Sequence, residues 1–178
     1  MREAILGTLL LGPQYGLQLR SEIIKRTGGV LRINSGQIYQ TLERLLRDGL
    51  VHISDTTPDG LPLYELTKQG TDVALKWATT PATATRKHPW EAMVIQVLIV
   101  RSLPQQDEAR LLEAYIMFWQ ENIVQDGTAE VDPTILLSQT ASNAQARAAM
   151  EWLAEVRKFD ESKIGLSTIR PMRGRPKL

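Results

Sequence analysis

At 178 residues, with 43% apolar and 23% charged side chains, the chain has the makeup of a folded water-soluble protein, which excludes disorder of the whole. Its longest apolar run, residues 93–100, is broken by Gln96 and falls far short of the roughly 20 residues a bilayer-spanning helix needs, and the absence of cysteine excludes disulfides and thiolate metal sites. Net charge is +1 but uneven: nine Lys/Arg against eight Asp/Glu over residues 1–80, six against ten over 81–157, and six against two over 158–178.

Ile5, Leu6, Leu9 and Leu10 fall at helical spacing ahead of Gly12-Pro13 and predict a short amphipathic helix with its breaker. The apolar stretch is too short for a secretory leader, so a cytoplasmic address is expected. A second helix is predicted over residues 15–27, burying Leu19, Ile23 and Ile24 and stopped by Gly28-Gly29. After a brief extended piece, Asn34-Ser35 offers an N-cap with Gln37 as the capping-box partner of a third helix over residues 34–48. Ile38, Leu42, Leu45 and Leu46 form its apolar stripe, and Ser35, Gln37, Gln40, Thr41, Arg44 and Arg47 are expected on the other face.

Gly49 ends that helix, and residues 50–54 and 63–66 flank a Pro-Asp-Gly turn, which predicts a β-hairpin. Thr67 caps a fourth helix to about residue 78 with Val73, Ala74 and Trp77 inward. Residues 80–89 read as a linker, and residues 90–103, 106–125 and 132–159 as three more helices, the last interrupted near Ser142-Asn143. From about residue 161 the chain loses periodicity and reads as a flexible basic tail. The fold class is therefore mostly α with a small β-hairpin. Residues 1–79 form a winged helix-turn-helix, followed by the linker, a helical dimerisation and effector domain over residues 90–160, and the tail.

In that fold the third helix enters the major groove of double-stranded DNA. Arginine can bind guanine in bidentate fashion, glutamine can pair with adenine, and Ser or Thr can reach bases or phosphates. A face that only solvates a helix more often mixes Glu with Lys, whereas here Glu43 and Asp48 are the only nearby acids. His52 and His88 are the only imidazoles, one on the wing and one in the linker, and no phosphate loop or metal-ligand spacing occurs. No enzymatic activity, cofactor or metal is expected.

Leu6-Gly7, Gly12-Pro13-Gln14-Tyr15-Gly16-Leu17, Ser35-Gly36-Gln37-Ile38-Tyr39 with Thr41-Leu42 and Leu45, Gly49-Leu50-Val51, and Tyr64-Glu65-Leu66-Thr67-Lys68-Gln69-Gly70 together resemble the PadR family of bacterial regulators. The resemblance implies a homodimeric winged-helix regulator, often a repressor released by a small molecule. It puts Tyr15 near phosphates at the start of helix two, and Ser35, Gln37, Tyr39 and Gln40 toward DNA. Two positions depart from the family pattern. Gln40 replaces the usual proline, adding a base reader, and Leu61-Pro62-Leu63 replaces the basic residues that normally precede the wing tyrosine. A wing without cations leaves its phosphate contacts in doubt.

The tail residues Pro171-Met172-Arg173-Gly174-Arg175-Pro176-Lys177 are similar to the AT-hook of chromatin proteins, in which Arg173, Gly174, Arg175 and Pro176 would lie in a narrow minor groove. In the acidic C-terminal half, Glu151-Trp152-Leu153 is similar to the dimer-clasping last helix of longer PadR proteins. Trp90, Met93, Trp119 and Trp152 are candidates for the dimer interface or for an apolar pocket that takes a small aromatic effector. A protein-interaction module without specific DNA binding is the alternative reading.

Overall fold

The computed structural model describes residues 1–82, 89–104, 106–124, 132–159 and 165–167. Three helices come first: α1 (Arg2–Leu9), α2 (Gly16–Arg26) and α3 (Ser35–Arg47). They are followed by the strands β1 (Val51–Thr56) and β2 (Pro62–Leu66), then α4 (Lys68–Thr79), α5 (Pro89–Arg101), α6 (Glu108–Glu121) and α7 (Pro133–Val156). The expected mostly helical fold with one hairpin is thus present, in the expected order.

Each start of the N-terminal unit is fixed locally. The Asn34 side chain accepts from the Gln37 amide at 2.8 Å, and the Gln37 side chain accepts from the Asn34 amide at 3.0 Å, which completes the capping box of α3. Thr67 accepts from the Gly70 amide and donates to the Gly49 carbonyl, so one hydroxyl caps α4 and holds it to the end of α3. Glycine is required at position 70, where a Cβ would stand 1.8 Å from the Leu50 carbonyl oxygen. The hairpin is antiparallel, with a bulge between Ile53 and Asp55. Gln14 and Tyr64 exchange backbone hydrogen bonds at 3.0 and 2.9 Å, which ties the α1–α2 connection to the wing.

Ile5, Leu6, Leu19, Ile23, Leu42 and Leu45 centre the first core, and Met93, Val97, Leu111, Tyr115 and Leu153 centre the second. A smaller cluster of Ala4, Ile99 and Leu103, with Trp77 at its edge, packs α1 against α5 and joins the two. Gln96 tightens the same seam. Its amide donates to the Trp77 and Thr80 carbonyls, and its carbonyl accepts from the Ala82 amide and the Tyr115 hydroxyl. The first residues of the expected linker are therefore bonded to α5 and α6, and residues 83–88 lie outside the described residues.

Two expectations are corrected. The predicted interruption of the last helix does not occur, because the Ser142 hydroxyl donates back to the Ser138 carbonyl. Asn143 turns inward, accepting from the Val124 amide and donating to its carbonyl, each at 2.9 Å. Part of the expected flexible tail is docked. The side chains of Glu22 and Arg26 form a buried ion pair at 2.9 Å. Arg26 also donates to the Ser102 hydroxyl and carbonyl and to the Gly165 carbonyl, and Glu22 accepts from the Ser167 amide at 3.0 Å. Isolated ions at that depth would be costly, so the extra partners are what make the pair tolerable.

Candidate nucleic-acid interface

The buried apolar stripe of α3 is Ile38, Leu42 and Leu45, packed on α2, with Leu46 partly buried beside it. Ser35, Gly36, Gln37, Tyr39, Gln40, Glu43, Arg44 and Arg47 are exposed. Gln40 with Arg44 stands one turn apart on that face, as does Gly36 with Gln40, and Arg47 closes the line. Gln37 is half committed, since its carbonyl oxygen serves the capping box and its amide nitrogen is left for an acceptor outside.

Thr41 contradicts the expectation for it. It is buried, and its hydroxyl donates to the Gln37 carbonyl at 2.8 Å, so it does not belong to the outward face of α3. Tyr15 stands at the start of α2 as expected, as its N-cap residue, and is buried, with 7% of its surface exposed. Tyr39 lies over Gly16 at the start of α2, which couples the ring on the outer face of α3 to the neighbouring helix. Beneath it, burial and then the nearby Tyr39 and Glu43 push the Tyr64 phenol above its ordinary value, so it stays protonated through the physiological range.

The wing carries acids where a phosphate grip would need cations. Residues 49–67 hold Asp55, Asp59 and Glu65 and no Lys or Arg, and the imidazole of His52 faces Glu65 at 3.7 Å. Leu61 and Leu63 are half-buried against the hairpin.

The four aromatic and methionine candidates of the C-terminal half do converge, as packed side chains. Trp119 donates to the Met93 sulfur at 3.0 Å, and both are buried in the second core. Trp90 and Trp152 stack obliquely, ring centroids 5.9 Å apart, and are only partly covered. A cleft of about 460 Å³ lies elsewhere, between Leu9, Leu10, Leu66, Leu75, Leu103 and Pro104. Sequence reasoning missed it, because its walls come from four elements far apart in the chain. Arg173, Gly174, Arg175 and Pro176 lie outside the described residues.

Residues 5–76 match the Transcriptional regulator PadR-like family. Over those residues, less than half of the chain, it is similar to that family. The PadR-like stretch runs from α1 into α4 and so contains α3 and the wing. The chain is also similar to solved structures of Bacillus subtilis PadR. That protein in complex with operator DNA is 19% identical, covering 87% of this chain and 94% of that one, with a TM-score of 0.40. In complex with p-coumaric acid it is 19% identical over 87% and 92% of the two chains, TM-score 0.38. No curated protein matches the chain. Among the described residues there is no helix long and apolar enough to cross a membrane and no cluster of His, Cys, Asp or Glu that could hold a metal.

Proposed function

We propose that this PadR-like regulator is a homodimeric, sequence-specific DNA-binding repressor that reads its operator with the outer face of α3. The observation that carries the reading is the division of that helix. Its apolar side chains are buried against α2, while Ser35, Tyr39, Gln40, Arg44 and Arg47 are exposed, and Gln37 adds the amide nitrogen that its capping bond leaves over. Gln40 and Arg44, adjacent on the surface, suit adenine and guanine edges respectively.

A second copy of the chain supports the reading from the other end. Over residues 133–142 of α7 only Gln139 is even partly covered, and Ile135, Leu136 and Leu137 are about half or more exposed. Nearly three turns of leucine-bearing helix, about 15 Å, seek a partner that the symmetric copy can supply. Partly covered Trp90 and Trp152 extend the apolar surface available to it. Release by a small aromatic effector fits the cleft between α1, α4 and the α5–α6 connection better than it fits the packed tryptophans. A ligand wedged at that seam would shift the reading helices by preferring one arrangement of the two units.

Footprinting of the purified chain on the region upstream of its own gene tests the proposal. A protected, two-fold related pair of half-sites supports it, and binding no tighter than to random DNA at physiological salt refutes it.

A further inference from the structure

We propose that Arg26 is a positioning residue for operator recognition. With Glu22, Ser102 and residues 165–167 it fixes the angle between the DNA-reading helices and the C-terminal unit. That angle in turn sets the half-site spacing that a dimer accepts. The inference rests on the homodimeric DNA-binding proposal above and adds to it a determinant of spacing that lies outside α3.

Arg26 ends α2, the helix on which α3 packs. Its side chain is 0% exposed and that of Glu22, one turn earlier, 2%. Every N–H of the guanidinium is spent. Nε and Nη2 donate to Glu22 Oε2 at 3.1 and 2.9 Å, Nη1 donates to the Ser102 hydroxyl and carbonyl at 2.8 and 3.2 Å, and Nη2 also donates to the Gly165 carbonyl at 3.0 Å. The second oxygen of Glu22 accepts from the Ser167 amide at 3.0 Å. Three pieces of chain far apart in sequence, the end of α2, the residue after α5 and residues 165–167, thus meet on one planar group. Its rigid fork fixes directions as well as distances.

Stability does not call for ions at this depth. Taking two charges out of water costs about what their pairing returns, and an apolar pair of similar volume holds as well or better. What the network has and an apolar contact lacks is direction. Across the same seam Ala4, Ile99 and Leu103 pack α1 on α5 through apolar surface, which has no directional preference. Gln96 ties α5 to the end of α4 through the Trp77 and Thr80 carbonyls. One polar attachment at α4 leaves the N-terminal unit free to rotate about it, and a second at α2 removes that rotation. The consequence falls on reading, because α3 moves with α2. Each base pair added between two half-sites shifts one of them by about 3.4 Å and turns it by about 35°. A rigid joint rejects that displacement, and a loose one follows it.

The test compares the full chain with two variants. Arg26→Met with Glu22→Leu replaces the ions by apolar groups, and Ser102→Ala takes one acceptor from the fork and leaves the ion pair, so it carries the test if the apolar pair does not fold. An operator selected by the full chain from a random library is lengthened or shortened by one base pair between its half-sites. The full chain should bind the altered operators about thirtyfold more weakly. The apolar pair should lose less than about threefold, keep the base preferences within each half-site and melt close to the full chain, with Ser102→Ala in between. A second readout needs no DNA. The chain has no cysteine, so spin labels at Lys25→Cys on α2 and Ala109→Cys on α6, both exposed positions, report the joint when labelled chain is diluted into unlabelled chain. One narrow distance is expected in the full chain and a broadened distribution in the apolar pair. Variants with the full chain's spacing penalty, or with label distances as narrow, would overturn the positioning role. A full chain that selects no two-fold operator would overturn the DNA-binding proposal, and the spacing claim with it.

Discussion

Gly16 lies under the ring of Tyr39, where a methyl group would stand 2.6 Å from Cε1 and 3.1 Å from the hydroxyl oxygen. The ring belongs to the outer face of α3 and is free to swing, so the contact sets where the hydroxyl points more than how well the protein holds together. Gly16→Ala should therefore change stability by less than about 1 kcal/mol while weakening operator binding several-fold. In a double-mutant cycle it should cost nothing further once Tyr39 is alanine, as binding titrations of the four proteins would show.

Gly70 makes the opposite case. The neighbour of an added Cβ there is backbone, the Leu50 carbonyl, which also accepts from the Thr67 amide at 3.1 Å. It cannot swing aside. Gly70→Ala should destabilise the chain by about 2–3 kcal/mol, read as a lower urea midpoint, with the loss falling on the junction of α4 and the wing.

Stability and reading should separate along α3. Asn34→Ala removes the cap and is expected to cost about 1 kcal/mol of stability. Gln40→Ala, on the exposed face, should leave the melting temperature alone and relax specificity at one base pair by about 1–3 kcal/mol. Thr41→Val should leave operator affinity unchanged, since its hydroxyl is spent on the Gln37 carbonyl.

Arg26 joins Glu22 to the docked residues 165–167. Arg26→Met strands the buried Glu22 carboxylate and should cost about 3–5 kcal/mol, whereas the pair Arg26→Met with Glu22→Leu should recover much of it. Chemical denaturation of the three proteins measures both.

The exposed first turns of α7 predict assembly. Leu137→Glu, at a position 71% exposed, should leave the chain folded by circular dichroism and shift it from dimer to monomer in sedimentation velocity.

Much of this was legible in the sequence where the physics is local. The stripe of Ile38, Leu42 and Leu45, the Asn34–Gln37 capping box and the Thr67 cap follow from spacings of three and four residues, and the structure has them. Thr41 was misplaced because it falls at the margin of the stripe, where periodicity alone does not say which way a small side chain faces. Ser142-Asn143 was misread as a break because both residues favour helix ends, and only the contact with Val124 nineteen residues away shows what Asn143 does instead. The docking of residues 165–167 was out of reach for the same reason. Glu22 and Ser167 are 145 residues apart, and three residues without periodicity carry no signal of docking. The cleft likewise exists only where α1, β2, α4 and the α5–α6 connection meet.

Whether the outer face of α3 reads base sequence is decided by the specificity profiles of Gln40→Ala and Arg44→Ala against a library of operator variants. Each substitution is expected to relax one position per half-site, in two half-sites about 34–36 Å apart, and to leave the other positions discriminated as before. Profiles identical to that of the unaltered chain, with all positions still read, would contradict it.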